Sequence, residues 1–177
     1  MSCELLAHLG VEGNQPLFEH LHGVSIRSAH YAESIGFRRA GEFIGLLHDL
    51  GKASDEFQHY LRMSEIEQSS LRGKIDHSTA GALHVLDVIC AGEGVDDRRR
   101  LCAHMLALCI ASHHSGLIDC LRPDGADGLE NRLAANEKRR ALLDEAWRKI
   151  DNETRAKVNA LMQDTVLVDE CVDSLRK

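Results

Sequence analysis

Gly45-Leu46-Leu47-His48-Asp49-Leu50-Gly51-Lys52 runs an apolar stretch into a histidine–aspartate pair and closes on a glycine and a lysine. A His-Asp pair alone says little. Here His20 lies upstream, His77 downstream, and a His113-His114 doublet follows. Imidazole and carboxylate are the usual ligands of first-row divalent metals. A set of this size, spread through sequence of helical periodicity, is hard to explain as packing. His48 and Asp49 would project about 100° apart on a helix of about 3.6 residues per turn. That divergence suits two ions better than one closed site, with one residue serving each ion or Asp49 bridging both, and the same holds for His113-His114. Lys52, three and four residues on, would share their side if the helix persisted, and could there hold a phosphate oxygen.

Working outward, apolar spacing stays helical. Leu17, Leu21, Val24, Ser28, Tyr31 and Ile35 form one stripe of a helix starting after Pro16 and ending near Gly36. Ala40 to Leu50 reads as a short apolar helix ended by Gly51. Ser54 is placed to cap a helix over Asp55 to Arg62, and residues 63–76 read as a polar loop. Ser78 to Cys90 is Ala- and Leu-rich helix closed by Gly92 and Gly94. Arg98 to Ser112 reads as the most buried segment, around Leu101, Met105, Leu108 and Ile110. After a loop marked by Pro123, Gly125 and Gly128, two charged amphipathic helices, about 129–150 and 153–175, finish the chain. No run alternates convincingly with period two, so the fold class expected is all-α.

The chain has 177 residues, 44% apolar and only 4% aromatic, so one domain packed mainly by Leu, Ile, Val and Ala is expected. No opening apolar signal core and no apolar run of membrane-spanning length is present, so neither secretion nor membrane insertion is expected. Six cysteines (Cys3, Cys90, Cys102, Cys109, Cys120, Cys171) form no C-x-x-C pair. Free thiols in a reducing cytoplasm are the expectation, with Cys102 and Cys109 as small core residues. A net charge of -7 argues against tight unaided binding to duplex DNA. A metal pair would add about four positive charges locally, or a partner could deliver the strand.

Several stretches together resemble the HD-superfamily nuclease domain of the type I CRISPR helicase-nuclease, which also occurs as a separate subunit. They are Ala7-His8, Leu17-Phe18-Glu19-His20-Leu21-His22-Gly23-Val24, the stretch from Gly45 through Ser54, and Phe57-Gln58-His59-Tyr60-Leu61. Asp76-His77-Ser78-Thr79-Ala80-Gly81-Ala82 and Ile110-Ala111-Ser112-His113-His114-Ser115-Gly116-Leu117 complete the set, which spans about residues 5–118. The resemblance implies a compact helical bundle and divalent metal on His20, His48, Asp49, His77, His113 and His114. It implies metal-dependent cleavage of single-stranded DNA in CRISPR antiviral defence, with a helicase and a surveillance complex as partners. The family carries one further metal-site aspartate late in the chain; the nearest candidate is Asp169 in Leu167-Val168-Asp169-Glu170-Cys171. Gly45 to Lys52 is no ATP-binding loop, since five residues separate its glycines and Ala53 follows the lysine. The chain is therefore expected to be a free-standing nuclease subunit or an excised domain.

On this reading two ions would clamp the scissile phosphate and make hydroxide available near neutral pH. Asp49 is assigned as the bridging ligand, with His20, His48 and His77 completing one coordination sphere and His113 and His114 contributing to the other. Lys52 is assigned to phosphate. Imidazole-rich ligation favours Mn2+, Fe2+, Co2+ or Ni2+ over Mg2+. His8, His22, His30, His59, His84 and His104 are taken as structural or exposed. The clusters Arg98-Arg99-Arg100 and Lys138-Arg139-Arg140 are taken as solvated helix faces. Two alternatives stay open: a phosphohydrolase of nucleotides or cyclic nucleotides, and a non-catalytic docking module that keeps the metal site.

Overall fold

The structure, a computed structural model, describes residues 4–10, 13–71, 73–91, 94–114, 116–134 and 136–173. Cys3, Gly92, Ser115 and the expected end of the last helix beyond residue 173 lie outside them. Helices dominate. A short antiparallel ribbon pairs β1 (Leu6–His8) with β2 (Gln15–Pro16), and Pro16 leads directly into α1 (Leu17–Glu33). Then come α2 (Arg38–Leu47), a 3-10 turn (Leu50–Ala53), α3 (Asp55–Leu61), α4 (Glu65–Leu71), α5 (Thr79–Ile89) and α6 (Asp97–Ser112). The chain continues through α7 (Gly128–Leu133), α8 (Glu137–Lys149), α9 (Asn152–Gln163) and α10 (Thr165–Asp173).

One apolar cluster joins these helices. Leu21, Phe43, Leu46, Leu47, Ile89, Leu106, Ile110, Val158 and Leu167 are all shut off from solvent within it. A smaller cluster of Leu6, Phe57 and Leu61 ties β1 to α3. Gln58 reinforces that tie: its side chain accepts from the Leu6 N–H and donates to the carbonyls of Leu6 and Lys52. With few aromatics available, aliphatic side chains fill the interior, as composition required.

The buried faces differ from the expected ones in an instructive way. On α1 the buried residues are Leu17, Leu21, Ser25 and Ala29, while Tyr31, and Ile35 just past its end, are exposed. On α6 they are Cys102, Ala103, Leu106, Ala107, Ile110 and Ala111, while Leu101 is exposed and Met105 and Leu108 are half-buried. Both faces advance in steps of four, and each such step rotates by about 40° on an α-helix. A stripe drawn with mixed three- and four-residue steps departs from that face. Cys109, expected in the core beside Cys102, is left behind by the same drift and is exposed.

Local capping decides the other differences. Ser54 caps α3 as expected, its Oγ accepting from the Phe57 N–H. The expected loop 63–76 contains α4, a helix with no buried residue, opened by Ser64 and Glu67 bonding to one another. The two expected terminal helices are four. Asn136 caps α8 through the Arg139 N–H, Asp151 caps α9 through the Thr154 N–H, and Asp164 accepts from the Val166 N–H at the start of α10. Short polar side chains inside a long amphipathic pattern compete for backbone N–H groups and divide it.

Candidate metal centre

The six expected ligands converge, and five of them sit at helix ends. His20 projects from α1. His48 is the C-terminal cap of α2, and Asp49 leaves that helix with φ -113 and ψ 24 to open the 3-10 turn. His77 precedes Ser78, the N-cap of α5, and His113 caps the C-terminus of α6 with His114 behind it. Two glycines make this approach possible. A Cβ on Gly45 would strike the backbone of Ser25 in α1, and one on Gly51 would strike the backbone of His77. Gly51 also donates its N–H to the His77 carbonyl at 3.1 Å. Gly51 therefore does more than stop a helix: it seats the His77 segment against the His-Asp pair.

Asp49 lies at the centre and divides the histidines between its two oxygens. Oδ2 is 2.8 Å from His20 Nε2 and 3.2 Å from His48 Nε2. Oδ1 is 3.3 Å from His113 Nε2, 3.5 Å from His77 Nε2 and 3.8 Å from His114 Nε2. Ligand atoms within each of these two sets are close enough to share one ion. The bridging position expected for Asp49 is thus geometrically available. The expected partition is corrected, since His77 stands with His113 and His114, its Nε2 2.7 Å from that of His114, and away from the His20–His48 set. The contact of Gly51 with His77 enters from the α5 side, and chain order gives no sign of it.

Ring orientation specifies which nitrogens face inward. Nδ1 of His48 lies 2.9 Å from the Gly45 carbonyl, Nδ1 of His113 lies 2.7 Å from that of Ile110, and Nδ1 of His77 lies 3.2 Å from that of Ile75. A carbonyl only accepts, so each Nδ1 carries a proton and each ring turns its Nε2 inward. His20 and His48 bring their Nε2 atoms to 3.1 Å. Burial pushes the His77 imidazole down to about 4 against the pull of Asp49, and burial also lowers His114, with the His113 charge adding to it. Burial alone would raise the Asp49 carboxyl, yet ring hydrogen bonds from His113, His20 and His48 hold it well below the usual carboxylate range. The buried ammonium of Lys52, 2.9 Å from Oδ2, supplies one positive charge against Asp49, and imidazole nitrogens gathered around a carboxylate are the donors that a first-row divalent ion takes. The donor set therefore fits divalent metal.

Lys52 is 3% exposed, and its Nζ lies 2.9 Å from Asp49 Oδ2. The 3-10 turn explains the pairing, because residues three apart eclipse one another at about three residues per turn. Lys52 thus pairs with Asp49 and also lines the adjoining cavity. His8, taken as structural or exposed, stands at the edge of the site with Nε2 3.4 Å from Lys52 Nζ and its ring edge-on to His20. Only its place beside Ala7 in the family-like opening could have flagged it. Asp169 is corrected: it is exposed and pairs with Arg98 Nη2 at 2.8 Å. Arg98 opens α6 and His113 ends it, a separation of roughly 22 Å at about 1.5 Å per residue. Among the described residues, Asp49 is the one carboxylate in either ligand set.

A cavity of about 820 Å³ opens from the His77–His114 side, lined also by His8, Phe57, Tyr60, Asp76, Arg132 and Arg139. No helix among the described residues is long and apolar enough to cross a membrane. No curated protein matches the chain. Residues 16–171 match the family described as Cas3, HD domain, a span that contains all six converging side chains. With that match covering most of its length, and with an HD pair at the centre of a helical fold, the chain belongs to the Cas3 HD domain family, a CRISPR-related family of HD nucleases.

Proposed function

We propose that this chain hydrolyses phosphodiester bonds of single-stranded DNA, using two divalent ions held on either side of Asp49. His20 and His48 would hold one with Oδ2, and His77, His113 and His114 would hold the other with Oδ1. The observation that carries this reading is the convergence of imidazole Nε2 atoms on both oxygens of one buried carboxylate. Such ions supply Lewis-acid charge to phosphate oxygens and lower the pKa of water toward neutrality.

The protein's own contribution is orientation. The Gly45, Ile75 and Ile110 carbonyls fix three rings, and Lys52 pairs with Asp49 while offering its charge to a phosphate oxygen in the adjoining cavity. The imidazole majority favours Mn2+, Fe2+, Co2+ or Ni2+ over Mg2+. With a net charge of -7, affinity is local to the site, and a helicase acting with a surveillance complex in the cytoplasm would deliver the strand during antiviral defence.

Incubating metal-loaded protein with circular single-stranded DNA, and separately with a panel of nucleotides and cyclic nucleotides, tests the reading. Nicking and degradation of the circle are expected. Turnover of the panel alone, or bound metal without any turnover, would overturn it.

A further inference from the structure

The cavity beside the His77–His114 group is lined by two chemically different kinds of group. Arg132 of α7 and Arg139 of α8 supply one. Arg132 Nη2 donates to Ser78 Oγ at 2.8 Å, which fixes the guanidinium next to His77 in the chain. Its Nε is shielded from solvent and donates to nothing among the described residues, so what the group offers to the cavity comes from its half-exposed Nη end. Asp76 also lines the cavity, 4.0 Å from Arg132, but its carboxylate accepts from the N–H and Oγ–H of Thr79.

The other kind is aromatic. The Phe57 ring lies 5.0 Å from His77 and 5.8 Å from Tyr60, so a row of rings leads away from the metal centre. Phe57 is buried and supports the row, while Tyr60 is half-buried and faces the cavity. Guanidinium and aromatic groups in the lining of one cavity match one nucleotide unit: a phosphate that takes forked N–H donors and a base that stacks.

Resting on the nuclease reading above, we infer that this cavity is the strand-positioning subsite. Arg132, assisted by Arg139, holds the phosphate next to the scissile one, and Tyr60 stacks the unpaired base of that nucleotide. Both are positioning residues. A paired base cannot turn out onto Tyr60 without first leaving its duplex, so the subsite selects single strands.

The test compares a short single-stranded DNA, its duplex, and bis(p-nitrophenyl) phosphate, a diester with neither base nor neighbouring phosphate. Metal-loaded protein and the variants Arg132→Gln, Arg132→Lys and Tyr60→Leu are assayed. For the single strand, KM is expected to rise about tenfold in Arg132→Gln and in Tyr60→Leu, with kcat changing far less. In Arg132→Gln the slope of log kcat/KM against log salt becomes shallower by ~0.7, the loss of one phosphate contact; in Tyr60→Leu the slope is retained. Arg132→Lys keeps the slope but only part of the KM. An unchanged salt slope in Arg132→Gln, an equal loss on both kinds of diester, or duplex cut as well as single strand would overturn the inference while leaving the nuclease reading intact. Failure of the unaltered protein on every substrate would overturn both.

Discussion

The two sides of Asp49 are built differently. The Oδ2 side is interior: His20 and His48 are 13% and 11% exposed at their side chains, and the buried Lys52 ammonium bonds to Oδ2. The Oδ1 side is open: His114 is 54% exposed and faces the cavity. The inner group comes from α1 and α2, which pack closely enough for Gly45 to meet the Ser25 backbone. The outer group comes from the start of α5 and the end of α6, where the chain enters one helix and leaves the other. One carboxylate oxygen therefore belongs to a preorganised, water-poor position and the other to a position next to an open cavity.

Removing the element common to both sides has the largest expected effect. Asp49→Ala should strip both ions and lower cleavage of single-stranded DNA by several kcal/mol of barrier, on the order of a thousandfold. Metal analysis and rate measurement on the same preparation check it, and unchanged metal content with unchanged cleavage would refute the site assignment.

Separating the sides comes next. His114→Ala should release only the outer ion, leaving about one per chain, with activity partly restored by excess Mn2+. His48→Ala should lose the inner ion and resist such rescue, because the emptied position is buried. Equal rescue of the two variants would show that burial does not distinguish the sides. A milder perturbation is Gly51→Ala, which pushes the His77 backbone away. It should cost about 1–3 kcal/mol of stability in urea unfolding and loosen the outer ion more than the inner one.

The smallest effect contrasts two buried histidines. His77 and His84 are both held down to about 4 by burial, but His84 lies against Trp147 with its Nε2 unbonded, away from either ligand set. A histidine depressed in the folded state contributes stability fully present above its unfolded value of 6.5 and lost as pH falls toward 4, since the unfolded chain binds the proton first. Stability of the metal-free protein should fall across that window. His84→Phe should flatten the fall, and saturating Mn2+ should steepen it, because ions leave as ligands protonate. Denaturant titrations between pH 7 and 4.5 read both.

How much of this was legible in the chain follows from the same contrast. The helical class could be read from apolar spacing, and the six side chains that converge from the family resemblance, because each lies in one of the stretches that carry it. The pairing of His77 with His113 and His114 could not, since it depends on Gly51 receiving His77 from a distant segment. Asp169 misled because a carboxylate in an apolar helix reads alike whether it meets a metal or Arg98. Arg132 gave no signal at all: one arginine in a charged amphipathic stretch looks like every other solvated cation until the fold sets it beside Ser78. Arg139, read with its neighbours as a solvated face, lines the cavity for the same reason.

Anomalous diffraction from crystals soaked in Mn2+ addresses the central claim most directly. Two peaks flanking Asp49 are predicted, one among His20, His48 and Oδ2 and one among His77, His113, His114 and Oδ1. A single peak, or metal bound elsewhere with the histidines contacting only one another, would contradict it.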